Sequence, residues 1–482
     1  MPPRRRLADA DRGDDGQGVT YQGEPGGSGF GLRFQRHPQE LSTVELRDVE
    51  SLGAGDGDGV VHHLVEGENL ACLTAMADEL AGTVRVAVLD PPYNTAADPG
   101  VYADTFKPKG ASRAEGHARW LSFMEARLWA VRATLSNDGV CFITIDSREV
   151  WGLKLLCDEV FGEEQFMGSI TVKVKAPAGL GQRSSFVFDV CEYVLCYARD
   201  HRLVPRGAMR RTTLSAAVAN DYARSLTSLG APGSVRLVEG ERPFTVTTYP
   251  DAVIEPIPMD DRTPRRMVRW LPHAFRTTNA QGVGRFSDHT PADGVATVTY
   301  IPTRGPYAGQ ERTHCFVNGR LVAWLRDSAE MVDGEVHKRV RETNLWTDNL
   351  HQGLSREGGV TFPNGKKPVA LIRRLLELSG HRGGVVLDCF AGSGTTGEAV
   401  VDANRDGAEF RFVCITDNSR REGDDFVADG GAGGICRSIT QPRLAGLFTG
   451  LRPDGRRIEP AVGRLRYRRA VPVGRRPRRS GS

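Results

Sequence analysis

Apolar and polar positions along this chain form two stretches of alternating strand and helix, separated by a long region of weaker pattern. Val84-Arg85-Val86-Ala87-Val88-Leu89 is an apolar, β-branched run that stops at Asp90-Pro91-Pro92, as a buried parallel strand ended by prolines does. Helical spacing follows from Trp120 to Leu135 through Leu121, Met124, Leu128 and Val131, closing at the turn signal Asn137-Asp138-Gly139. A strand at 140–145 and a helix at 150–161 complete the first stretch. Periodicity returns with a helix at 369–378, a strand at 385–387, a glycine turn, a helix at 395–404 and a strand at 410–415. Strand alternating with helix predicts a doubly wound, Rossmann-like α/β sheet.

Between these stretches prolines, glycines and short alternations such as Val295-Ala296-Thr297-Val298 predict an irregular, β-containing insert. The pattern thus divides the chain into an irregular segment at 1–58, α/β halves at 59–198 and 345–420, an insert at 199–344, and a C-terminal region at 421–482. A chain of 482 residues has room for two or three such units.

Composition adds little to this picture. Hydrophobic content of 39% and charged content of 26% are ordinary for a globular chain, and no apolar run nears the roughly 20 residues that span a bilayer. The N-terminus shows no apolar signal stretch, so a cytoplasmic protein without membrane contact is expected. Nine cysteines form no CxxC pair, which favours reduced, buried thiols over a metal site. A net charge of +3 is mild, but residues 464–479 hold eight arginines and no acid. That basic tail fits phosphate contact or a solubilising tail equally well.

Candidate chemistry sits in two turns. Asp388-Cys389-Phe390-Ala391-Gly392-Ser393-Gly394-Thr395-Thr396-Gly397 joins a strand to a helix, where glycines let a ligand approach main-chain N–H groups at the helix N-terminus. Gly392, Gly394 and Gly397 satisfy G-x-G-x-x-G, and Asp417 stands about 20 residues on, where a ribose-binding acid belongs. No Lys-Ser/Thr follows, so the turn is not a phosphate-binding P-loop. By itself the motif leaves a nicotinamide-dependent oxidoreductase and an S-adenosylmethionine enzyme both open.

The second turn, Asp90-Pro91-Pro92-Tyr93, suits a particular problem. The lone pair of a nucleobase amine is delocalised into the ring, so the nitrogen is a poor nucleophile. A carboxylate and a backbone carbonyl that accept both N–H bonds draw the amine toward tetrahedral geometry. Asp90 can supply the first and Pro91 the second, while Pro92 stiffens the turn and lacks an N–H. Tyr93 offers an aromatic face to a base extruded from the duplex. Methyl transfer would then be a direct displacement at the sulfonium, helped by proximity and orientation.

With these turns in order, the chain resembles the β-class DNA amino-methyltransferases, in particular the Type III Mod-like adenine methyltransferases. The resemblance runs over most of 64–198 and 345–417. It includes Gly67-Glu68-Asn69-Leu70, Asp90-Pro91-Pro92-Tyr93-Asn94-Thr95, Tyr102-Ala103-Asp104-Thr105-Phe106, Lys367-Pro368-Val369 and Phe390-Ala391-Gly392-Ser393-Gly394-Thr395-Thr396. It implies S-adenosylmethionine as cofactor, held by Glu68, Lys367, Pro368, Asp388, Phe390, Ala391, Gly392, Ser393, Gly394, Thr395 and Thr396. It implies catalysis by Asp90, Pro91, Pro92 and Tyr93, with no metal.

The catalytic motif precedes the cofactor loop, the circularly permuted β-class order, so both halves are expected in one sheet with Asp90 near Gly392. The insert becomes a target-recognition region; its run of Arg262, Arg265, Arg266, Arg269, Trp270, Arg276 and Arg285 reads equally as a solvated face. Double-stranded DNA is the implied partner, with a restriction subunit or a homodimer beside it. Cytosine-N4 enzymes usually carry Ser in place of Asp90, so Asp90 tilts the reading toward N6 of adenine.

Overall fold

A computed structural model describes residues 20–23, 30–39, 42–53, 59–95, 104–175, 188–207, 209–279, 284–348, 350–351, 353–362, 365–422, 425–427 and 431–473. The chain divides into two compact units, one of residues 1–208 and 343–482 and the other of 209–342.

The first unit is built on a ten-stranded sheet. Its strands in chain order are β1 Val44–Leu52, β2 Val61–Glu66, β3 Val84–Leu89, β4 Leu135–Ile145, β5 Phe166–Lys173, β6 Cys191–Ala198, β7 Leu345–Trp346, β8 Gly383–Asp388, β9 Glu409–Thr416 and β10 Arg464–Pro472. Across the sheet the order is β7-β5-β6-β4-β3-β8-β9-β2-β10-β1. The six strands from β4 to β10 run parallel, and β6 and β1 pair antiparallel with the two flanks of that block.

Helices cover both faces. Arg113–Thr134 and Val150–Phe161 pack with Val84, Ala87 and Leu89 in one apolar cluster. Val369–Leu378, Thr395–Arg405 and Gln441–Thr449 pack with Val86 and Val88 in the other. That two-sided burial is why β3 reads as a continuous apolar run instead of an alternating one. The expected doubly wound sheet is present, and the permuted halves meet where β3 lies beside β8, with Ala87 opposite Leu387.

Three sequence expectations need correction. The 113–134 helix starts a full turn and more before Trp120, because Ser112 caps it by accepting the Glu115 N–H at 3.1 Å. The Asn137-Asp138-Gly139 signal is absorbed as an irregularity inside β4, whose Leu135 and Val140 partner residues only two apart on β3. The third concerns the chain ends. The segment read as irregular at 1–58 contains β1, and the basic tail contains β10, its antiparallel partner.

Leu465 and Tyr467 of β10 are buried. Arg466 binds Asp48 through two hydrogen bonds of 2.6 Å, Arg468 pairs with Glu79 and Arg469 with Glu66. These arginines meet carboxylates of the chain itself. Residues 474–479 of the tail, and residues 102–103 of the resemblance, lie outside the described residues.

The second unit is more regular than its sequence suggested. It holds an eight-stranded antiparallel sheet, ordered Val235–Val238, Phe244–Tyr249, Val295–Tyr300, Arg312–Val317, Arg320–Trp324, Ala274–Thr278, Arg224–Ser228 and Val253–Pro256. Glycines and prolines that broke the pattern fall between short strands, as at Asn318-Gly319, where both residues have positive φ. The arginine run is partly neutralised at home: Arg265 pairs with Glu335, Arg269 with Asp261, and Arg262 donates to the Ile257 carbonyl. Among the described residues, no helix is long and apolar enough to cross a membrane.

Candidate active site

The carboxyl ends of β3, β8 and β9 surround a cavity of about 430 Å³ in the first unit. Ligands of open α/β sheets bind at this end, where crossovers leave a crevice. Of the expected site residues, Glu68, Asp90, Pro92, Lys367, Asp388, Phe390, Ala391, Gly392, Ser393, Thr395 and Thr396 line the cavity. Pro91, Tyr93, Pro368 and Gly394 sit beside it in sequence without lining it.

At the end of β3, Asp90 Oδ1 is crowded. It accepts from Thr144 Oγ1 at 2.5 Å and from the Tyr93 hydroxyl at 3.1 Å, and the Lys367 ammonium stands 3.2 Å away. Its other oxygen, Oδ2, has no partner among the described residues. Lys367 and Tyr93 also reach Glu192 Oε2, each at 3.0 Å, and the ammonium lies 4.7 Å from the centre of the Tyr93 ring. The Lys367 side chain therefore belongs to the Asp90 turn and not to the glycine loop.

Burial pushes the Asp90 carboxyl up, an effect the Lys367 charge opposes. Burial would raise Glu192 as well, but Lys367 wins and holds it below its ordinary value. Burial would lower Lys367; the two carboxylates win and hold it well above the usual lysine range.

The rest of the turn is braced. Trp120, fully buried, donates its indole N–H to the Pro92 carbonyl at 2.7 Å, while the Pro91 carbonyl carries no hydrogen bond among the described residues. Asn94 takes a left-handed φ of 56°, which asparagine tolerates, and its amide donates to Glu149 at 2.8 Å. His117 and Asp104 complete the brace, His117 against Glu149 at 2.5 Å and Asp104 accepting the Asn94 N–H at 3.0 Å.

The glycine loop is organised differently. Gly392 and Gly394 have φ of 46° and 80°, so glycine is needed for the backbone path. Its polar side chains are turned inward. Thr396 donates to Asp388 Oδ2 at 2.5 Å, Thr395 to the Lys367 carbonyl at 3.0 Å, and Asp388 Oδ1 accepts the Phe390 N–H at 2.9 Å. Burial pushes the Asp388 carboxyl up to about 7, against the pull of those two hydrogen bonds. Glu68 caps the helix Asn69–Ala75 by accepting two N–H groups and pairs with Arg127 at 2.6 Å, yet its side chain stays half exposed on the cavity wall. Asp417 and Ser419 line the cavity as well, hydrogen-bonded to each other at 3.0 Å.

Sequence reasoning missed Glu192, Thr144 and Arg443. A glutamate inside a strand otherwise apolar was the available signal for Glu192. Arg443 is fully buried, salt-bridged to Glu398 at 2.8 Å and bonded to Ser393 and Thr395; nothing local in Gln441-Pro442-Arg443 points to the loop some 50 residues earlier. Among the described residues no group of His, Cys, Asp or Glu could hold a metal ion.

The sheet, the cavity and the two turns lie together in the first unit. Residues 84–422 match the model of the DNA methylase family, and the chain belongs to that family. It is 29% identical to the probable type III restriction-modification enzyme HindVI Mod subunit of Haemophilus influenzae, over 80% of this chain and 53% of the subunit. It is 24% identical to the type II methyltransferase M.KpnI of Klebsiella pneumoniae, over 79% of this chain and 85% of that enzyme. Against the StyLTI Mod subunit of Salmonella typhimurium identity is 26%, over 89% and 64%. The chain thus spans about half to two thirds of the Mod subunits it matches. The nicotinamide alternative left open by the glycine spacing falls with the family match.

Proposed function

We propose that this chain transfers a methyl group from S-adenosylmethionine to N6 of adenine in double-stranded DNA, after the base leaves the stack. The observation that carries this reading is the pair of unengaged acceptors, Asp90 Oδ2 and the Pro91 carbonyl, on a turn braced by Trp120 and Asn94 at the cavity edge. Two acceptors with no other partner suit the two N–H bonds of an exocyclic amine. S-adenosylmethionine supplies an electrophilic methyl group on a cationic sulfonium. With the cofactor bound, Asp90 and the Pro91 carbonyl would orient the amine lone pair toward that methyl group, the C–S bonding pair would return to sulfur as the N–C bond formed, and Asp90 would take the amine proton and pass it to water.

Several features of the cavity fit that cofactor. Gly392 brings bare backbone to the cavity wall, the carboxylates of Glu68 and Asp417 suit hydroxyl and ammonium groups, and Phe390 and Phe123 form apolar walls. Lys367 is assigned to Asp90, and Pro368 to the start of the following helix. The all-antiparallel unit at 209–342 reads the target sequence in this proposal. The chain works in the cytoplasm as the modification component of a restriction-modification system, beside a restriction subunit or a second copy.

Tritiated S-adenosylmethionine and DNA from a host lacking adenine methylation provide the test. Label is expected in N6-methyladenine after digestion to nucleosides, and Asp90→Ala should abolish it. Absence of label with the unaltered protein, or label confined to cytosine, would sink the reading.

A further inference from the structure

We infer that Glu192 is a positioning residue for methyl transfer, holding Lys367 and Tyr93 so that Asp90 keeps one oxygen free for the amine. This rests on the methyltransferase reading above. Glu192 lies on β6, where neither the Asp-Pro-Pro-Tyr turn nor the glycine loop calls for a carboxylate. A second acid so near a buried first one is costly unless it is used.

The use is visible in the bonding. Three donors converge on Asp90 Oδ1, and two of them, Lys367 Nζ and the Tyr93 hydroxyl, are shared with Glu192 Oε2. Both shared donors lie between Asp90 Oδ1 and Glu192 Oε2. Thr144 is placed by the same strand pairing, since it lies opposite Val194, two residues along β6 from Glu192. Asp90, Glu192 and Lys367 together carry a net charge of −1. During transfer, positive charge moves from sulfur to the amine, and this fixed negative cluster is already oriented to receive it. Without Glu192, Asp90 and Lys367 close into a neutral pair, and the ammonium competes with the amine for the carboxylate.

The groups facing Glu192 are Lys367, Tyr93, Asp90 and His351, with Asp146 acting on it from the end of β4 and Asp388 on Asp90. Removing the Glu192 charge makes both Asp90 and Lys367 easier to deprotonate, so both limbs of the pH–rate profile should move to lower pH.

The test uses the full chain, DNA lacking adenine methylation and single-turnover labelling across pH. Glu192→Gln is expected to slow transfer by roughly 10- to 100-fold. Cofactor affinity by calorimetry and KM for DNA should stay within about threefold, both limbs should shift, and Glu192→Asp should recover much of the rate. In cofactor-free protein labelled at the lysine side chains, the Lys367 signal should lose its proton at lower pH in Glu192→Gln.

A wild-type rate and profile in Glu192→Gln overturns the inference, as does a slower rate with an unmoved profile and an unmoved Lys367 signal. If Glu192→Gln fails to bind cofactor, the Lys367 signal of the cofactor-free protein decides, since that reading needs no cofactor. Undiminished label in Asp90→Ala sinks the underlying function; lost label there, with a normal Glu192→Gln, sinks only the role of Glu192.

Discussion

The two turns at the head of the sheet are built on opposite plans. The Asp90 turn leaves functional atoms unengaged: one carboxylate oxygen and one carbonyl have no partner among the described residues, while neighbouring groups are pinned. The glycine loop engages nearly every polar side chain it has, with Thr395, Thr396, Ser393 and Asp388 all bonded internally. A turn that acts through side chains must keep one vacant; a loop that acts through its backbone needs its side chains only to fix its path. Damage at the two places should therefore look different.

The largest effect is expected at the turn. Asp90→Ala should lower the methylation rate by at least roughly 10²-fold, while cofactor Kd by calorimetry stays near the wild-type value. A matching loss of cofactor binding would erase the contrast. Next comes the loop's anchor. Arg443→Met strips Glu398, Ser393 and Thr395 of a fully buried partner, and breaking a buried pair typically costs about 3–5 kcal/mol. Arg452 still holds Glu398, so the lower end applies. Urea unfolding measures it, and a loss under about 1 kcal/mol would show that the anchor is dispensable.

Smaller again is Gly394→Ala. At φ 80° a side chain is strained, and the new Cβ would lie 3.3 Å from both Leu444 and Thr440. The strain costs about 1–2 kcal/mol. It should appear as weaker cofactor binding, with the rate at saturating cofactor retained. A variant that binds cofactor normally but transfers slowly would place the loop in the same class as the turn.

How much of this was legible depends on sequence distance. Asp90 to Tyr93 and Gly392 to Gly397 are local signals, each a few residues long at the end of an apolar run, and periodicity located both. The meeting of β3 with β8 was legible only from the order of the motifs. Glu192, Arg443 and the β1–β10 pair were not, because each acts on a partner 45 to 418 residues away, and its local pattern has an ordinary explanation. Arginines in Leu465-Arg466-Tyr467-Arg468 look like a basic tail until Asp48 and Glu79 are seen beside them. The antiparallel unit was obscured for a different reason: short strands broken by glycine and proline leave windows too small for a period to show.

A pH dependence tests whether the loop's interior is set by its own electrostatics. Asp388 is buried with only Thr396 and the Phe390 N–H to support its charge, and its carboxyl is pushed up to about 7 from an ordinary value near 4. Between those values the folded protein binds a proton that the unfolded chain does not. Stability from this group is therefore fullest at low pH, falls as pH rises from about 4 to about 7, and levels off above. Asp388→Asn keeps an acceptor for the Phe390 N–H and cannot ionise, so it should match the wild type at about pH 4 and below and melt higher than it at pH 8. A difference of about 1 kcal/mol corresponds to about 2 °C or somewhat less in a chain this long. Cofactor-free protein must be used, so that altered binding does not enter. An offset equal at both pH values would mean that Asp388 is ionised throughout, its charge carried by Thr396 and the loop backbone, and the glycine loop would then present a fixed negative charge beside the cavity instead of a neutral wall.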